Sequence, residues 1–153
     1  MRNRIDLVLG KVLAVIMGIM VLNVLWQVAS RYIVGEPSSF TDELARYLMI
    51  WVGVLGAAYV SGKQMHVAID VLQTRSGKKT QRRMRSMVYV LIILFALFAM
   101  VIGGSRLVYI SYLLGQKSPA LQIPLAFVYM VIPLSGLLII YYKFNDFIKN
   151  LNG

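Results

Sequence analysis

Long apolar stretches, separated by short polar segments, dominate the 153-residue chain. Each is close to the roughly 20 residues that a helix rising about 1.5 Å per residue needs to cross a hydrocarbon core. Because the stretches are continuous and do not alternate, they favour helices, which satisfy their own backbone groups in lipid. We therefore predict an all-α integral membrane fold, with residues 1–153 as a single transmembrane domain of four helices. The predicted spans are residues 7–29, 44–61, 87–109 and 123–142.

The distribution of charge predicts the orientation of these spans. The chain has 16 Lys and Arg against 6 Asp and Glu, a formal net charge of +10. With the N-terminus in the cytoplasm, twelve basic residues lie on the cytoplasmic side and four outside, and cytoplasmic loops carry the excess of Lys and Arg in membrane proteins. We predict that both termini are cytoplasmic. The basic residues flank spans and do not cover a soluble face, so anionic phospholipids, and no nucleic acid, are the predicted counter-charge.

The connection between the second and third spans is the longest, and it has its own pattern. Apolar and polar side chains separate on a helical wheel, which predicts an amphipathic surface helix over residues 63–75. On it, Lys63, His66 and Asp70 form a polar cluster, because positions three and four apart are neighbours. We interpret the cluster as structural, with a subunit contact or proton handling as alternatives. A basic collar predicted to contact lipid headgroups follows, formed by Lys79, Arg82, Arg83 and Arg85.

Chemistry that would drive transport or catalysis is missing from the predicted spans. All six acidic residues lie at a terminus, in a loop or at a helix end, whereas proton-coupled carriers usually keep an ionisable group within the membrane. A sodium site built from backbone carbonyls stays open. The chain has one histidine and no cysteine, so no catalytic triad and no thiolate metal site are predicted. The sequence also lacks a glycine-rich phosphate-binding loop with a lysine. We expect no enzyme, no catalytic residue, no cofactor and no metal ligand.

Two patterns within the spans predict helix packing. Small residues recur every four positions in the second span, which lets another helix approach its backbone closely. Two amide side chains form a stripe near one end of the first span, where amides facing lipid would lack partners. Packing within this chain and packing against a larger membrane protein both explain these patterns. The candidate interface residues are Asn23, Gln27, Gly53, Gly56, Ala57 and Ser61.

The segment before the second span carries hydroxyl and carboxylate side chains. Asp42 and Glu43 lie where the positive end of the helix dipole favours acids, with hydroxyls able to cap the helix. Arg46 lies within reach of both carboxylates. Helix capping with an interfacial ion pair is one interpretation, and docking of an external soluble partner is the other. The candidate docking residues are Glu36, Asp42, Glu43, Arg46 and Lys117.

Several short motifs occur in a fixed order along the chain. They are Arg31-Tyr32, residues 41–46 (TDELAR), Trp51, residues 56–58 (GAA), 66–70 (HVAID), 118–124 (SPALQIP) and Ile132-Pro133. In this order and spacing they resemble the small membrane subunit of tripartite ATP-independent periplasmic (TRAP) transporters. The chain departs from that family at Thr41, where members often carry tryptophan before paired glutamates.

The resemblance implies a complex of the bacterial inner membrane. In that family a periplasmic binding protein delivers an organic acid, such as sialic acid or a dicarboxylate, to a large membrane subunit that uses a sodium gradient. The resemblance also implies that the small subunit braces the large one and binds no substrate. One alternative is a self-sufficient four-helix carrier acting as a homodimer, which usually has a glutamate in its first span, where residues 7–29 have none. An assembly factor for another membrane complex is a third interpretation.

Overall fold

The computed structural model describes residues 2–35, 38–63 and 78–152. These residues form six α-helices and two segments of wider, π-helical turns. The first π-helical segment, Ser30–Val34, continues α1, and the second, Ala96–Gly103, joins α3 to α4. The α-helices are α1 (Arg2–Ala29), α2 (Ser39–Gly62), α3 (Lys78–Phe95), α4 (Gly104–Leu113), α5 (Leu125–Tyr129) and α6 (Val131–Asn152).

Four helical stretches of the described chain are long and apolar enough to cross a bilayer, which confirms the predicted fold class. The first three extend past the predicted segment at both ends, whereas the fourth begins inside its predicted segment, at Leu125, and continues past the end of that segment to Asn150. The orientation of the termini and the single-domain assignment stay predictions. Most of the predicted surface helix lies in residues 64–77, outside the described part of the chain. The four spans are Arg4–Ile33, Ser39–Gly62, Thr80–Leu113 and Leu125–Asn150.

The spans do not pack in chain order. The first span packs on the second, the second on the fourth, and the fourth on the third. Much of the first span is therefore uncovered, and Leu22 and Trp26 expose 68% and 65% of their surface. Such a broad apolar surface is expected in contact with lipid or with another protein. The core where the spans meet consists of Leu9, Leu13, Leu55, Ala58, Ala96, Val131 and Ile139.

Glycines set the distance between the third and fourth spans. A Cβ atom added to Gly136 would lie 2.8 Å from Cβ of Met100 and 3.3 Å from the carbonyl oxygen of Ala96. A Cβ atom added to Gly104 would lie 2.9 Å from Cγ2 of Ile132. A side chain at either position would be crowded against the facing helix, so the two helices approach closely here.

The fourth span is interrupted near its start. Its helix is broken at Met130, between α5 and α6. Pro133 lies one turn further on and has no N–H to donate to the carbonyl of Tyr129, which removes one helical hydrogen bond at this point. The break therefore falls where the sequence weakens the helix.

The bundle has two ends that differ in composition. We call the end that carries residues 114–124, between the third and fourth spans, the loop end. The opposite end, which carries Asp6, Lys63 and Asp146, is called the terminal end.

Candidate functional site

The carboxylate of Glu43 joins α2 to the loop between the third and fourth spans. Its Oε2 atom accepts the backbone N–H groups of Ala120 at 2.8 Å and Leu121 at 2.9 Å. Its Oε1 atom accepts the hydroxyl of Tyr47 at 2.8 Å. Hydrogen bonds in which one partner is ionised are stronger than neutral ones. The first turn of α2 therefore holds the loop in place.

The loop is itself closed by backbone hydrogen bonds. The N–H of Ser118 donates to the carbonyl of Ile123 at 3.0 Å, and that of Leu125 to the carbonyl of Gln116 at 3.0 Å. Gln122 has a φ of 54°, and its side-chain amide donates to the carbonyl of Pro119 at 3.0 Å. The loop therefore presents one compact turn at the loop end.

The first span is fastened to the start of α2 by its two amide side chains. Asn23 is buried, and its Nδ2 donates to the carbonyl of Thr41 at 2.7 Å. The Nε2 of Gln27 donates to Oδ1 of Asp42 at 3.3 Å. Packing within the chain therefore accounts for the partners of both amides. Contact of these two amides with a larger subunit stays a prediction. It is not needed to explain them, because both already have partners within the chain.

The two carboxylates at the start of α2 have separate partners. Asp42 forms an ion pair with Arg46, four residues on, whereas Glu43 bonds the loop. Ser38 is the residue before the helix, but its side chain makes no capping hydrogen bond. The hydroxyl of Thr41 donates instead to the carbonyl of Ser38 at 3.0 Å. The expected hydroxyl cap is thus replaced by a bond to the preceding backbone.

Four of the five candidate docking residues come together at the loop end. Arg46 and Lys117 are exposed there, and Asp42 and Glu43 are half-buried beside them. Glu36 lies outside the described residues. Sequence reasoning missed the backbone N–H groups that bond Glu43, because backbone donors leave no side-chain signal.

The small residues of the second span divide between two surfaces. Gly53 and Ala57 are exposed, and nothing lies within 4 Å of a Cβ atom placed on Gly53 or Gly56. No described part of the chain covers this smooth face of α2. Ser61 belongs to a different surface, because it is buried with only 3% of its area exposed. Of the candidate interface residues in the second span, Gly53, Gly56 and Ala57 therefore share the uncovered face, and Ser61 does not.

The terminal end contains a second polar network. The hydroxyl of Tyr142 donates to Oδ1 of Asp6 at 2.5 Å, which joins the fourth span to the first. A Cβ atom on Gly62 would lie 2.9 Å from the ring of Tyr142, so this glycine makes room for the ring. Lys143 and Asp146 are buried with 1% and 2% of their areas exposed, and their Nζ and Oδ2 atoms lie 3.8 Å apart.

Lys63, the one described member of the predicted polar cluster, and the basic collar also lie at the terminal end. Lys63 places its Nζ 5.3 Å from the ring centre of Tyr59, while His66 and Asp70 lie outside the described residues. The collar residues belong to the start of α3, where Arg82 and Arg83 are exposed and Arg85 is half-buried. Lys79 occupies the first turn of the same helix.

The described residues contain no group of three or more His, Cys, Asp or Glu side chains that could hold a metal ion. The two polar networks instead connect helices to one another and to the loop. Four membrane-length helices, an apolar outer surface and polar groups concentrated at the two ends define a multi-pass α-helical membrane protein. This class alone does not separate a carrier from an accessory subunit.

Comparison with known proteins assigns the chain to a family. A model of the family described as "Tripartite ATP-independent periplasmic transporters, DctQ component" matches residues 20–153. The chain belongs to this family and is a small membrane subunit of a TRAP transporter, a multi-pass protein of the bacterial inner membrane. The resemblance inferred from its motifs is confirmed.

Three relatives illustrate the range of the family. The ectoine TRAP transporter small permease protein TeaB of Halomonas elongata is 28% identical over 97% of this chain and 79% of its own length. The C4-dicarboxylate TRAP transporter small permease protein DctQ of Rhodobacter capsulatus is 33% identical over 63% of this chain and 42% of its own length. The sialic acid TRAP transporter permease protein SiaT of Haemophilus influenzae is 34% identical over 63% of this chain. The match spans only 16% of SiaT.

Proposed function

We propose that this chain braces the large, sodium-coupled membrane subunit of a TRAP transporter and helps to dock a periplasmic binding protein during uptake of an organic acid. The observation that carries the proposal is the smooth outer face of α2, where Gly53, Gly56 and Ala57 are not covered. Lipid chains gain little from such a face, whereas a second helix can bring its backbone close to it. A helix of the large subunit is the proposed occupant.

The loop end supports the second half of the proposal. With both termini in the cytoplasm, this end faces the periplasm. The exposed side chains of Arg46 and Lys117 lie there next to a loop that Glu43 holds in one conformation. A fixed surface loses little conformational entropy when a soluble protein docks on it. The proposed role of this end is to receive the binding protein.

The proposal assigns substrate and sodium to the partner subunits. The names of the relatives refer to sialic acid, ectoine and C4-dicarboxylates, and these substrates belong to those proteins. An organic acid is the proposed class for this transporter. The proposed division of labour places selectivity in the binding protein and the large subunit, and no cofactor in this chain.

Co-purification of the large subunit tests the brace. Gly53→Leu fills the outer face of α2, and we expect it to reduce recovery of the large subunit while the unfolding temperature of the chain in detergent stays the same. Gly18→Leu is the matched control, since Gly18 is also exposed on a span with nothing within 4 Å of its Cβ position. Equal recovery with both variants would show that this face is not the contact.

Reconstitution of the purified chain alone in liposomes tests the alternative function. The proposal predicts no uptake of sialic acid or C4-dicarboxylate without the large subunit. Uptake by the chain alone, with the chain recovered as a dimer, would replace the proposal with the self-sufficient carrier.

A further inference from the structure

A cavity of about 560 Å³ opens between the first and second spans at the terminal end. Lys11 and Tyr59 line it from the two spans, and Lys63 lines it just beyond the end of α2. Asp6, Leu7, Gly10 and Ala14 also line it on the first span. The cavity therefore has a charged part and an apolar part next to each other.

The charges of this cavity favour an anion. Two lysines and one aspartate give a formal charge of +1. Both lysines are exposed, and neither has an ion-pair partner among the described side chains. Asp6 is engaged by the fourth span, because its Oδ1 accepts the hydroxyl of Tyr142 at 2.5 Å. Lys63 lies over the ring of Tyr59, with 5.3 Å between its Nζ and the ring centre, which keeps its ammonium group beside the cavity.

The depth of Lys11 favours a lipid over a soluble anion. Lys11 lies inside the first membrane span, Arg4–Ile33. The Cα–Cβ bonds of a helix tilt toward its N-terminus, so this side chain is directed toward the terminal end and the membrane surface. Leu7 and Ala14 are exposed on the same wall, where an acyl chain has access from the bilayer. Basic pockets between membrane helices suit phospholipid headgroups.

We propose that this cavity binds an anionic phospholipid, with its phosphate between Lys11 and Lys63 and the start of an acyl chain along Leu7 and Ala14. The site is separate from the basic collar of the third span, because the first and third spans are not packed on each other. A lipid bound here would fill the groove between the first two spans at the membrane surface. The proposal concerns the chain itself and does not depend on the contact between α2 and the large subunit.

Native mass spectrometry of the protein released from nanodiscs tests this site. The full chain, with the subunits that accompany it, is placed in phosphatidylcholine containing a minor fraction of phosphatidylglycerol, and retained phosphatidylglycerol is measured. Each lysine near an anionic lipid contributes about a fivefold preference. Lys11→Gln with Lys63→Gln should therefore lower retention by about 5- to 25-fold. Lys149→Gln, at an exposed position of the terminal end outside both the cavity and the basic collar, removes one positive charge and should reduce retention much less than Lys11→Gln or Lys63→Gln alone.

Two further variants test the geometry. Ala14→Phe fills the apolar part of the cavity without changing the charge, and we expect it also to reduce retention. Asp6→Asn keeps an acceptor for Tyr142, removes the negative charge and should increase retention. Circular dichroism and the unfolding temperature check that each variant is folded.

Several results would overturn the proposal. The charge would act only through the general surface potential if Lys149→Gln reduced retention as much as Lys11→Gln or Lys63→Gln alone. If Ala14→Phe left the retention of phosphatidylglycerol unchanged, the proposed contact with the acyl chain would be wrong. In a parallel set of nanodiscs, phosphatidylethanolamine replaces the phosphatidylglycerol at the same fraction. Stronger retention of phosphatidylethanolamine than of phosphatidylglycerol, weakened by Asp6→Asn, would identify a zwitterionic headgroup instead. If glycerophosphoglycerol, the soluble headgroup, were retained as strongly as phosphatidylglycerol, the cavity would be a site for a soluble anion.

Discussion

Gly136→Ala should destabilise the contact between the third and fourth spans. The new Cβ atom would lie 2.8 Å from Cβ of Met100, 3.0 Å from Cγ2 of Val101 and 3.3 Å from the carbonyl oxygen of Ala96. Crowding of this kind costs about 1–3 kcal/mol in a well-packed core. Replacing a helical glycine by alanine gains up to about 1 kcal/mol in helix propensity. The expected net loss is therefore about 1 kcal/mol, or roughly fivefold in the ratio of folded to unfolded protein.

Gly18→Ala supplies the matched control, because nothing lies within 4 Å of a Cβ atom at Gly18. It should gain the same helix propensity without crowding, and the difference between the two variants isolates the crowding of about 1–3 kcal/mol. The free energy of unfolding is measured for both in mixed detergent micelles by circular dichroism. If Gly136→Ala proved as stable as Gly18→Ala, the backbones of the third and fourth spans could not approach as closely as described.

Two further predictions concern the loop end. Asn23→Ala removes a buried hydrogen bond to the carbonyl of Thr41 and should lower the free energy of unfolding by about 0.6–1.7 kcal/mol, measured in the same micelles. Gln27→Ala removes a longer bond and should cost less, so the reverse order would contradict this ranking. Glu43→Ala should speed hydrogen exchange at the two loop amides that it bonds, measured by mass spectrometry. Asp42→Ala should leave those amides protected, and equal exchange in both variants would refute the role of Glu43.

The sequence was sufficient to predict the four spans because the requirement for about 20 apolar residues is local and strong. The sequence did not predict which spans pack against each other. The order in which the spans pack depends on shape, and the close approach at Gly104 and Gly136 becomes visible only when two helices face each other. The π-helical turns of Ala96–Gly103 also have no signal in hydropathy, since they change the backbone hydrogen bonds and leave the side-chain pattern apolar.

The candidate site was predictable in part. Asp42 and Arg46 were predicted to pair because they lie one turn apart, and the ion pair forms. The partners of Glu43 lie 77 and 78 residues away and are backbone groups, which no side-chain pattern encodes. Lys143 was one of the twelve basic residues assigned to the cytoplasmic side, and the charge count did not indicate that its side chain is buried. Its neighbour Asp146, three residues on, was the available signal.

The distribution of burial agrees with the proposed role of this small bundle as a brace. In the most apolar window of the fourth span 39% of residues are buried, against 11% in the first and third spans. The fourth span therefore serves as the internal support, and the other spans present most of their surface outward. Polar contacts fasten the helices at both ends, through Glu43 and Asn23 at the loop end and through Asp6 and Tyr142 at the terminal end. Displacement of the first span would break its bond to Thr41 at the loop end and its bond to Tyr142 at the terminal end together. A bundle fastened in this way, with a large outward surface, suits the proposed role of bracing the large subunit.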